Sequence, residues 1–458
     1  MTPHGGLNPN RLGLGPPWWT HPAVGFCSAS GLSALFTYFT PGELYERYWN
    51  TWKYFDAGHL ALALLCCAAF VFGAWFANRL PRPAGAAPDA ALFAFTHKEA
   101  LLRIFHGAFL LTLAGYVVWF GAAVARGAPA DLVLAVFRGD KGAAFEMKEV
   151  YMGTVKGITT LTQFGIVVVV LGAILTPAAG LRRTGPACAA VACLAAIRSV
   201  LNAERLAMVE LAIPALVAAL RAWPMFCSRG PVRRAAQWAP LAAPFVLVAG
   251  FTLSESIRSW SYYADQGHSL VGFGASRLSG YYVTSMNNGA LLTNLFEEPL
   301  GVPFFSAPFL YRFPGINVLP RAFLAPAGLD MDADPIRAVF ENSANVEFNN
   351  PGGLFLPVLD FGPALGIFYW LAGGVVAGGV FVLYRRGEPP GLLLYPLLFL
   401  SLLETPRIIY WGEGRAVPAI AVSLAVSFAL RGRPAQAVAS SVTWDSEGFL
   451  GPGQGAAV

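Results

Sequence analysis

Apolar runs of about 20 residues, the length that crosses about 30 Å of hydrocarbon as a helix, recur along the chain. They fall at residues 21–40, 57–77, 104–125, 157–177, 185–201, 205–222, 237–256, 355–384, 390–409 and 414–431. The pattern predicts about ten membrane-spanning helices. The first run is the least continuous, being interrupted by Ser28, Ser30, Ser33 and Thr37.

The polar positions between these runs set an orientation, because Lys and Arg concentrate in cytoplasmic loops. Arg79, Arg82, Lys98 and Arg103 fall in one connection, Arg182 and Arg183 in a second, and Arg221, Arg229, Arg233 and Arg234 in a third. Arg385, Arg386, Arg431 and Arg433 complete the series. All lie on one side if both termini are cytoplasmic. Residues 126–156 depart from the rule, with Arg126, Arg138, Lys141, Lys148 and Lys156 on the outer side. Parity makes 185–222 a hairpin with its tip at Ser199–Glu204, since a single crossing there puts Arg182–Arg183 or Arg229–Arg234 outside.

Four units follow: a first bundle of about seven spans over 1–256, a long outer loop over 257–354, three further spans over 355–431, and a Gly/Ser/Ala-rich tail over 432–458, expected to be disordered. The long loop carries aromatic clusters such as Val302–Leu310 between Pro/Gly turns, so it is expected to be folded, partly helical and rested on the membrane surface. No internal repeat is visible, which weighs against transporter folds built from inverted repeats.

Composition agrees with a chain whose exterior faces lipid. Hydrophobic residues make up 56% and charged residues only 12%, about half the charge of a soluble domain, and the mean hydropathy is +0.54. The net charge of +5 comes without any basic run suited to nucleic acid. None of the six cysteines lies between Arg258 and Gly353, against a disulfide framework or a zinc site. Residues 1–19 lack the charged and apolar regions of a cleavable signal peptide.

Candidate chemistry gathers at helix ends on the outer side. Arg198, Glu204, Arg205 and Glu210 surround the hairpin tip, Glu255 and Arg258 close the seventh span, and Glu404, Arg407, Glu413 and Arg415 bracket the last outer turn around Tyr410 and Trp411. Ionisable groups at membrane depth are rare unless they pair or line a polar site. For any one pair, such as Glu204 with Arg407, an interhelical salt bridge is the plain alternative. Three converging sets point instead to a shared anionic site, and arginine, with its planar charged fork, suits phosphate.

Two strings in the long loop add to this set. In Arg277-Leu-Ser-Gly-Tyr281-Tyr282-Val-Thr-Ser-Met-Asn287-Asn288-Gly289, residues Arg277, Tyr281 and Asn288 recur at helical spacing on one face. Tyrosine and asparagine there suit sugar hydroxyls; an amphipathic interfacial helix is the alternative. In Glu341-Asn-Ser-Ala-Asn345-Val-Glu347-Phe-Asn349-Asn350-Pro-Gly352-Gly353, carboxylates and amides suit positioning and deprotonating a hydroxyl, with capping and turn chemistry as the alternative, above all for Asn349, Asn350 and the glycines. Asp330, Asp332 and Asp334 alternate like a metal-binding pair but lack the surrounding strand pattern, and are expected to be a solvated loop. The histidines, at 4, 21, 59, 97, 106 and 268, are scattered, with only His268 in the long loop.

Between about residues 155 and 420 these strings, in order and spacing, resemble the O-antigen (Wzy-type) oligosaccharide repeat-unit polymerases. They are Gly157-Ile-Thr-Thr-Leu-Thr-Gln163, Asn202-Ala-Glu-Arg205-Leu-Ala, Glu255-Ser-Ile-Arg258-Ser-Trp260, Arg277 through Gly289, Asn345 through Gly362, and Glu404-Thr-Pro-Arg407-Ile-Ile-Tyr410. The resemblance implies an all-α, GT-C-like, polytopic protein of the bacterial inner membrane, a glycosyltransferase working at the periplasmic face without metal or cofactor. Its donor would be a glycan on undecaprenyl pyrophosphate and its acceptor the terminal hydroxyl of a new lipid-linked unit, with a flippase and a chain-length regulator as pathway partners. Arg198, Arg205 and Arg277 would hold the pyrophosphate, completed by Arg407 and Arg415. Glu347, Glu404 or Glu204 would be the base, and Tyr281, Tyr282, Asn287, Asn288, Asn345 and Tyr410 would contact sugar. An O-antigen ligase and a flippase or exporter of the same lipid-linked sugars are the competing expectations.

Overall fold

In a computed structural model the chain is described over residues 15–80, 90–155, 157–202, 204–227, 230–258, 260, 269–323 and 335–430, with two short strands in the tail. Each apolar run forms a helix. They are α1 (Pro22–Phe39), followed by α2 (Gly42–Trp49), then α3 (Ala57–Arg79), α4 (Lys98–Ala125), α5 (Thr159–Ala179), α6 (Leu181–Leu201), α7 (Leu206–Ala222) and α8 (Pro231–Arg258). After α9 (Leu270–Leu295) come α10 (Leu356–Arg386), α11 (Pro389–Glu404) and α12 (Val417–Ala429).

Six of these helices are long and apolar enough to cross a membrane, or seven if α1 and α2, bent by 103° at Thr40–Pro41, count as one. The chain is therefore a helical membrane protein. The expectation of ten spans meets shorter helices at its end. With 16 residues in α11 and 13 in α12, these reach about 24 and 20 Å, less than the hydrocarbon thickness. As the sequence anticipates, residues 185–222 form two helices, broken between Leu201 and Leu206.

The most extensive helix pair, α3 with α10, meets through small residues. A Cβ on Gly73 would stand 2.1 Å from the carbonyl oxygen of Leu371, and one on Gly374 would stand 2.1 Å from that of Phe70. Without side chains the two backbones close to van der Waals contact, which is how helices associate where no water drives them together. At Gly362 (φ 80°, ψ 169°), just before Pro363, α10 bends sharply. Only glycine adopts that backbone readily, and the proline removes a donor from the turn.

The long loop differs most from its sequence reading. Its centre is the 26-residue α9, about 39 Å long, and Phe273 through Leu292 are mostly buried. The interfacial alternative, a helix with its Tyr pair at headgroup level, does not describe it. At its start α9 packs against the end of α8, where Gly274 abuts Thr252 and Arg277 meets Glu255. Near its end Thr293 meets His59 in the first turn of α3. Both contacts are with helix ends that charge alternation assigns to the outer side, so α9 lies across the ends of the bundle. The rest of the loop is tied down by Asp360, whose carboxylate accepts from the backbone N–H groups of Phe305 (2.8 Å) and Ser306 (2.7 Å).

In the tail, expected to be disordered, Val442–Trp444 pairs antiparallel with Leu450–Pro452. The five described cysteines, all but Cys227, are free thiols. Asp330, Asp332, Asp334 and His268, and the side chain of Arg258, lie outside the described residues.

Candidate functional site

The sequence-predicted arginines and carboxylates assemble at one end of the bundle, the end that charge alternation assigns to the outer side, in two adjoining ionic networks. The first joins α6, the hairpin tip, α7 and the start of α12. Arg198 Nη2 donates to Glu204 Oε2 at 2.6 Å, and Arg415 Nη1 donates to Glu204 Oε1 at 2.7 Å and to Glu210 Oε1 at 2.9 Å. Gln163, in the amide orientation that satisfies both neighbours, accepts from Arg198 and donates to Glu210, each at 3.3 Å. The Arg198 guanidinium also lies 4.5 Å from the centroid of the Trp119 ring.

This first network is mostly buried, with Arg415 its most exposed member at 31% of its side chain. Arg198 and Glu210 are buried, and Tyr410, expected to touch sugar, is fully buried beside Glu210 and Arg415. Burial opposes ionisation of Glu204, but Arg415 and Arg198 together outweigh it and hold the carboxyl at about 2. So acidic a group is a weaker acceptor for a hydroxyl proton near neutral pH than an ordinary carboxylate. The anticipated partner of Glu204, Arg407, is elsewhere; Arg198 and Arg415 take its place.

The second network draws on five segments remote in sequence. Arg205, at the foot of α7, pairs with the fully buried Glu255 at the end of α8. The other oxygen of Glu255 faces Arg277 Nε of α9 at 3.7 Å. Arg277 Nη1 in turn donates to Glu347 Oε2 at 2.6 Å. Arg407 Nη1 donates to Glu404 Oε2 at 2.7 Å and approaches the side-chain oxygen of Asn350 at 3.5 Å.

Tyr281 stands at the centre of this network. The guanidinium carbons of Arg205, Arg407 and Arg277 lie 4.8, 5.5 and 6.0 Å from its ring centroid. Phe251 underlies Arg205 at 4.5 Å and Phe348 underlies Arg277 at 4.6 Å. Aromatic faces attract the cations and fix their planes while leaving N–H edges for an anion. The spacing argument for α9 holds: Arg277, Tyr281 and Asn288 all face the segment around Phe348. Tyr282, next along, lies beside Glu404 and Arg407.

Across both networks five guanidinium groups, of Arg198, Arg205, Arg277, Arg407 and Arg415, meet five carboxylates, of Glu204, Glu210, Glu255, Glu347 and Glu404. The resting site is formally neutral. Among these carboxylates Glu347 stands apart, with a side chain 45% exposed, while Glu404 and Glu255 are buried.

The asparagines expected to bind sugar do other work. Asn287 Oδ1 accepts from the backbone N–H of Tyr54 (2.7 Å) and Phe55 (3.1 Å), and its amide donates to the carbonyl of Trp52 (2.8 Å). Asn288 donates to the carbonyls of Phe348 (2.7 Å) and Asn350 (3.1 Å). Asn345 donates to the Trp49 carbonyl and accepts from the Glu347 N–H. An amide side chain copies a peptide group, so it can satisfy buried backbone where no strand or helix does. These three residues position the segments that carry Glu347 and Trp52, and all three amide nitrogens, with the side-chain oxygens of Asn287 and Asn345, are already engaged.

Sequence reading placed Glu255 in the converging set without a task, and the structure makes it the counter-ion common to Arg205 and Arg277; Gln163, which bridges the first network, was given no role. The signal for Glu255 was its place at a span end, where a lone carboxylate needs a partner. Two cavities flank the networks without being lined by the arginines. One, of about 370 Å³, includes Asp56, His59, Thr293 and Glu297; there His59 Nδ1 meets Asp56 at 2.7 Å and Nε2 meets Thr293 Oγ1 at 3.1 Å. It lies toward the far end of α9, about 24 Å along the axis from Arg277.

The chain matches no family model, no curated protein and no solved structure.

Proposed function

We propose that this protein is a membrane-embedded polymerase of lipid-linked oligosaccharide repeat units. It would act at the periplasmic face of the bacterial inner membrane, moving a growing glycan from undecaprenyl pyrophosphate to the terminal hydroxyl of a new unit. The observation that carries this reading is the convergence of Arg205, Arg277 and Arg407 on Tyr281, at one end of a bundle of apolar helices, next to one accessible carboxylate.

The chemistry follows from the charges. As the anomeric C–O bond breaks, negative charge grows on the departing pyrophosphate, and fixed guanidinium groups stabilise it without reorganising. In the resting state Glu347 occupies Arg277. An incoming pyrophosphate replaces that carboxylate as partner of the guanidinium, so the arginine need never be left unpaired in a partly buried site. Displaced, Glu347 is an accessible general base for the acceptor hydroxyl, whose oxygen forms the new glycosidic bond. Glu255 stays buried and keeps Arg205 and Arg277 in register. Arg198 and Arg415, engaged by Glu204 and Glu210 in the first network, brace the α6–α7 hairpin against the start of α12.

The ten-helix, GT-C-like arrangement belongs to this proposal, as do both cytoplasmic termini and the pathway partners, a flippase and a chain-length regulator. Purified protein in liposomes carrying outward-facing lipid-linked repeat units tests it. Wild type should lengthen the glycans and release undecaprenyl pyrophosphate, and Arg277→Ala should not. Transfer of glycan only to a lipid A core acceptor would identify a ligase, and export without lengthening would identify a transporter.

A further inference from the structure

The second cavity beside the ionic networks has a different chemical character from them. It encloses about 450 Å³ between the segment after α2 and the short helix Pro335–Ser343. Asn50, Thr51, Trp52 and Tyr54 form one wall, and Asn342 and Ser343 form the other. The Tyr54 hydroxyl donates to the Ser343 carbonyl at 2.8 Å and ties the two walls together. Glu46 is the ionisable group in the lining, and no Lys or Arg contributes. Lys53, next along the chain, donates instead to the carbonyls of Tyr38 (2.6 Å) and Thr40 (2.8 Å).

Two side chains in this cleft lack the surroundings their chemistry asks for. Trp52 leaves 66% of its surface exposed and so presents a bare indole face to the cleft. Thr51 is the converse: it is 7% exposed, lines the cleft, and its hydroxyl has no hydrogen-bond partner. An unpaired buried hydroxyl is destabilising and calls for an explanation. A ligand that offers a flat apolar face to the indole, and a hydroxyl to the Thr51 side chain once that side chain turns about its Cα–Cβ bond toward the cleft, answers both. A pyranose ring has such a face, formed by its axial C–H groups, and a rim of hydroxyls.

The backbone around Trp52 is held as a site wall rather than as a free loop. Asn287 of α9 clamps the Trp52 carbonyl and the N–H groups of Tyr54 and Phe55. Asn50 adopts the left-handed conformation (φ 46°, ψ 52°) and turns the chain out of α2. Non-glycine residues take that conformation at a cost, and asparagine bears it best.

The cleft also adjoins the arginine centre. Asn345 links the Trp49 carbonyl, three residues before Trp52, to the N–H of Glu347, and Trp49 Nε1 donates to the Ser276 carbonyl beside Arg277. A cation-free, aromatic, hydroxyl-matched cleft thus sits next to a site rich in guanidinium groups. We infer that the Thr51–Trp52 cleft is a subsite for a neutral pyranose of the glycan whose pyrophosphate occupies the Arg205–Arg277–Arg407 centre. The inference rests on the polymerase reading for the source of the sugar. The binding chemistry itself requires only an uncharged saccharide, and the single carboxylate of Glu46 disfavours phosphate here.

The two sites are separable by experiment. Saturation-transfer NMR on the detergent-purified full chain would use two probes: a panel of neutral di- to tetrasaccharides of hexoses and N-acetylhexosamines, and inorganic pyrophosphate. At least one saccharide should bind wild type. Trp52→Ala should weaken it by about tenfold or more, the ratio that 1.4 kcal/mol represents, without changing pyrophosphate binding. Thr51→Val, nearly isosteric and free of an unsatisfied hydroxyl, should also weaken saccharide binding while leaving thermal stability equal or higher, which a purely structural role for Thr51 would not produce. Arg277→Ala should show the reverse selectivity, losing pyrophosphate and keeping saccharide. Failure of every neutral saccharide to bind wild type, or undiminished binding in both Trp52→Ala and Thr51→Val, overturns the subsite. Pyrophosphate binding unaffected by Arg277→Ala counts instead against the polymerase reading.

Discussion

Arg277 and Glu347, 70 residues apart in the chain, form a 2.6 Å hydrogen-bonded ion pair whose guanidinium is buried and whose carboxylate is 45% exposed. The asymmetry gives the two residues different tasks. Arg277 is fixed by Glu255 behind it and Phe348 beneath it, whereas Glu347 can leave. Glu347→Gln keeps the shape and a weaker hydrogen bond but removes the proposed base, so on the polymerase reading polymerisation should fall by about 10²–10⁴-fold with protein abundance unchanged. Glu404→Gln, at a buried carboxylate on Arg407, should impair folding or yield before it alters the rate of the protein that remains. Chain-length ladders normalised to membrane protein read both, and full activity in Glu347→Gln would remove it as the base.

Arg415 is shared by Glu204 and Glu210, and its loss would leave two carboxylates of the first network under-compensated. Breaking a buried ion pair from one side costs about 3–5 kcal/mol, so Arg415→Ala should lower the thermal midpoint in detergent and the yield of monodisperse protein. Arg415→Met combined with Glu204→Gln and Glu210→Gln removes all three charges together and should recover most of that stability. An Arg415→Ala protein that is as stable as wild type yet makes no polymer would place Arg415 in the pyrophosphate centre instead.

The pH response of the first network has a definite sign. Glu204 is held at about 2 in the folded chain against an ordinary 4.5. Its contribution to stability is therefore complete above the unfolded value and is lost as pH falls from 4.5 toward 2. Thermal midpoints measured from pH 7 downward should hold steady with respect to this group until about 4.5 and then decline. Glu204→Gln, which has no proton to gain, should show a shallower decline over that window. Identical slopes for the two proteins would mean that Arg198 and Arg415 do not stabilise the Glu204 carboxylate.

The helices were legible because each apolar run is long against the period of an α-helix, and the hairpin at 185–222 followed from the parity of its flanking arginines. What could not be read in full was α9. Its helical spacing was visible at Arg277, Tyr281 and Asn288, but its length and burial were not: the string is too polar for a hydropathy window and was placed in a surface loop, yet it is buried, because its polar atoms meet backbone groups of the segments it crosses. The arginines of the candidate centre were visible as a type and a place, but their partners were not. Glu255 reaches both Arg205 and Arg277 only through the packing of α8 against α9. The sugar-binding expectation for Asn287, Asn288 and Asn345 erred for a related reason, since an amide that suits a sugar hydroxyl suits an unpaired peptide group equally well.

The α3–α10 contact carries the outer site, because α3 begins at the His59 cavity and α10 holds the long loop through Asp360. Neighbouring glycines on α10 separate close approach from mere helix content. A Cβ on Gly374 would stand 2.1 Å from the Phe70 carbonyl oxygen and 3.0 Å from the Ala74 nitrogen, both backbone atoms that cannot turn aside. A Cβ on Gly373 would meet only the Phe70 and Trp370 rings, at 3.9 Å or more. Gly373→Ala should therefore be neutral or stabilise the helix by up to about 1 kcal/mol. Gly374→Ala must push the two helices apart and should cost about 1–3 kcal/mol, the range for forcing a methyl group into packed structure. Thermal midpoints of the two variants should fall on opposite sides of wild type or differ by several degrees. If they coincide, α3 and α10 do not meet through Gly374.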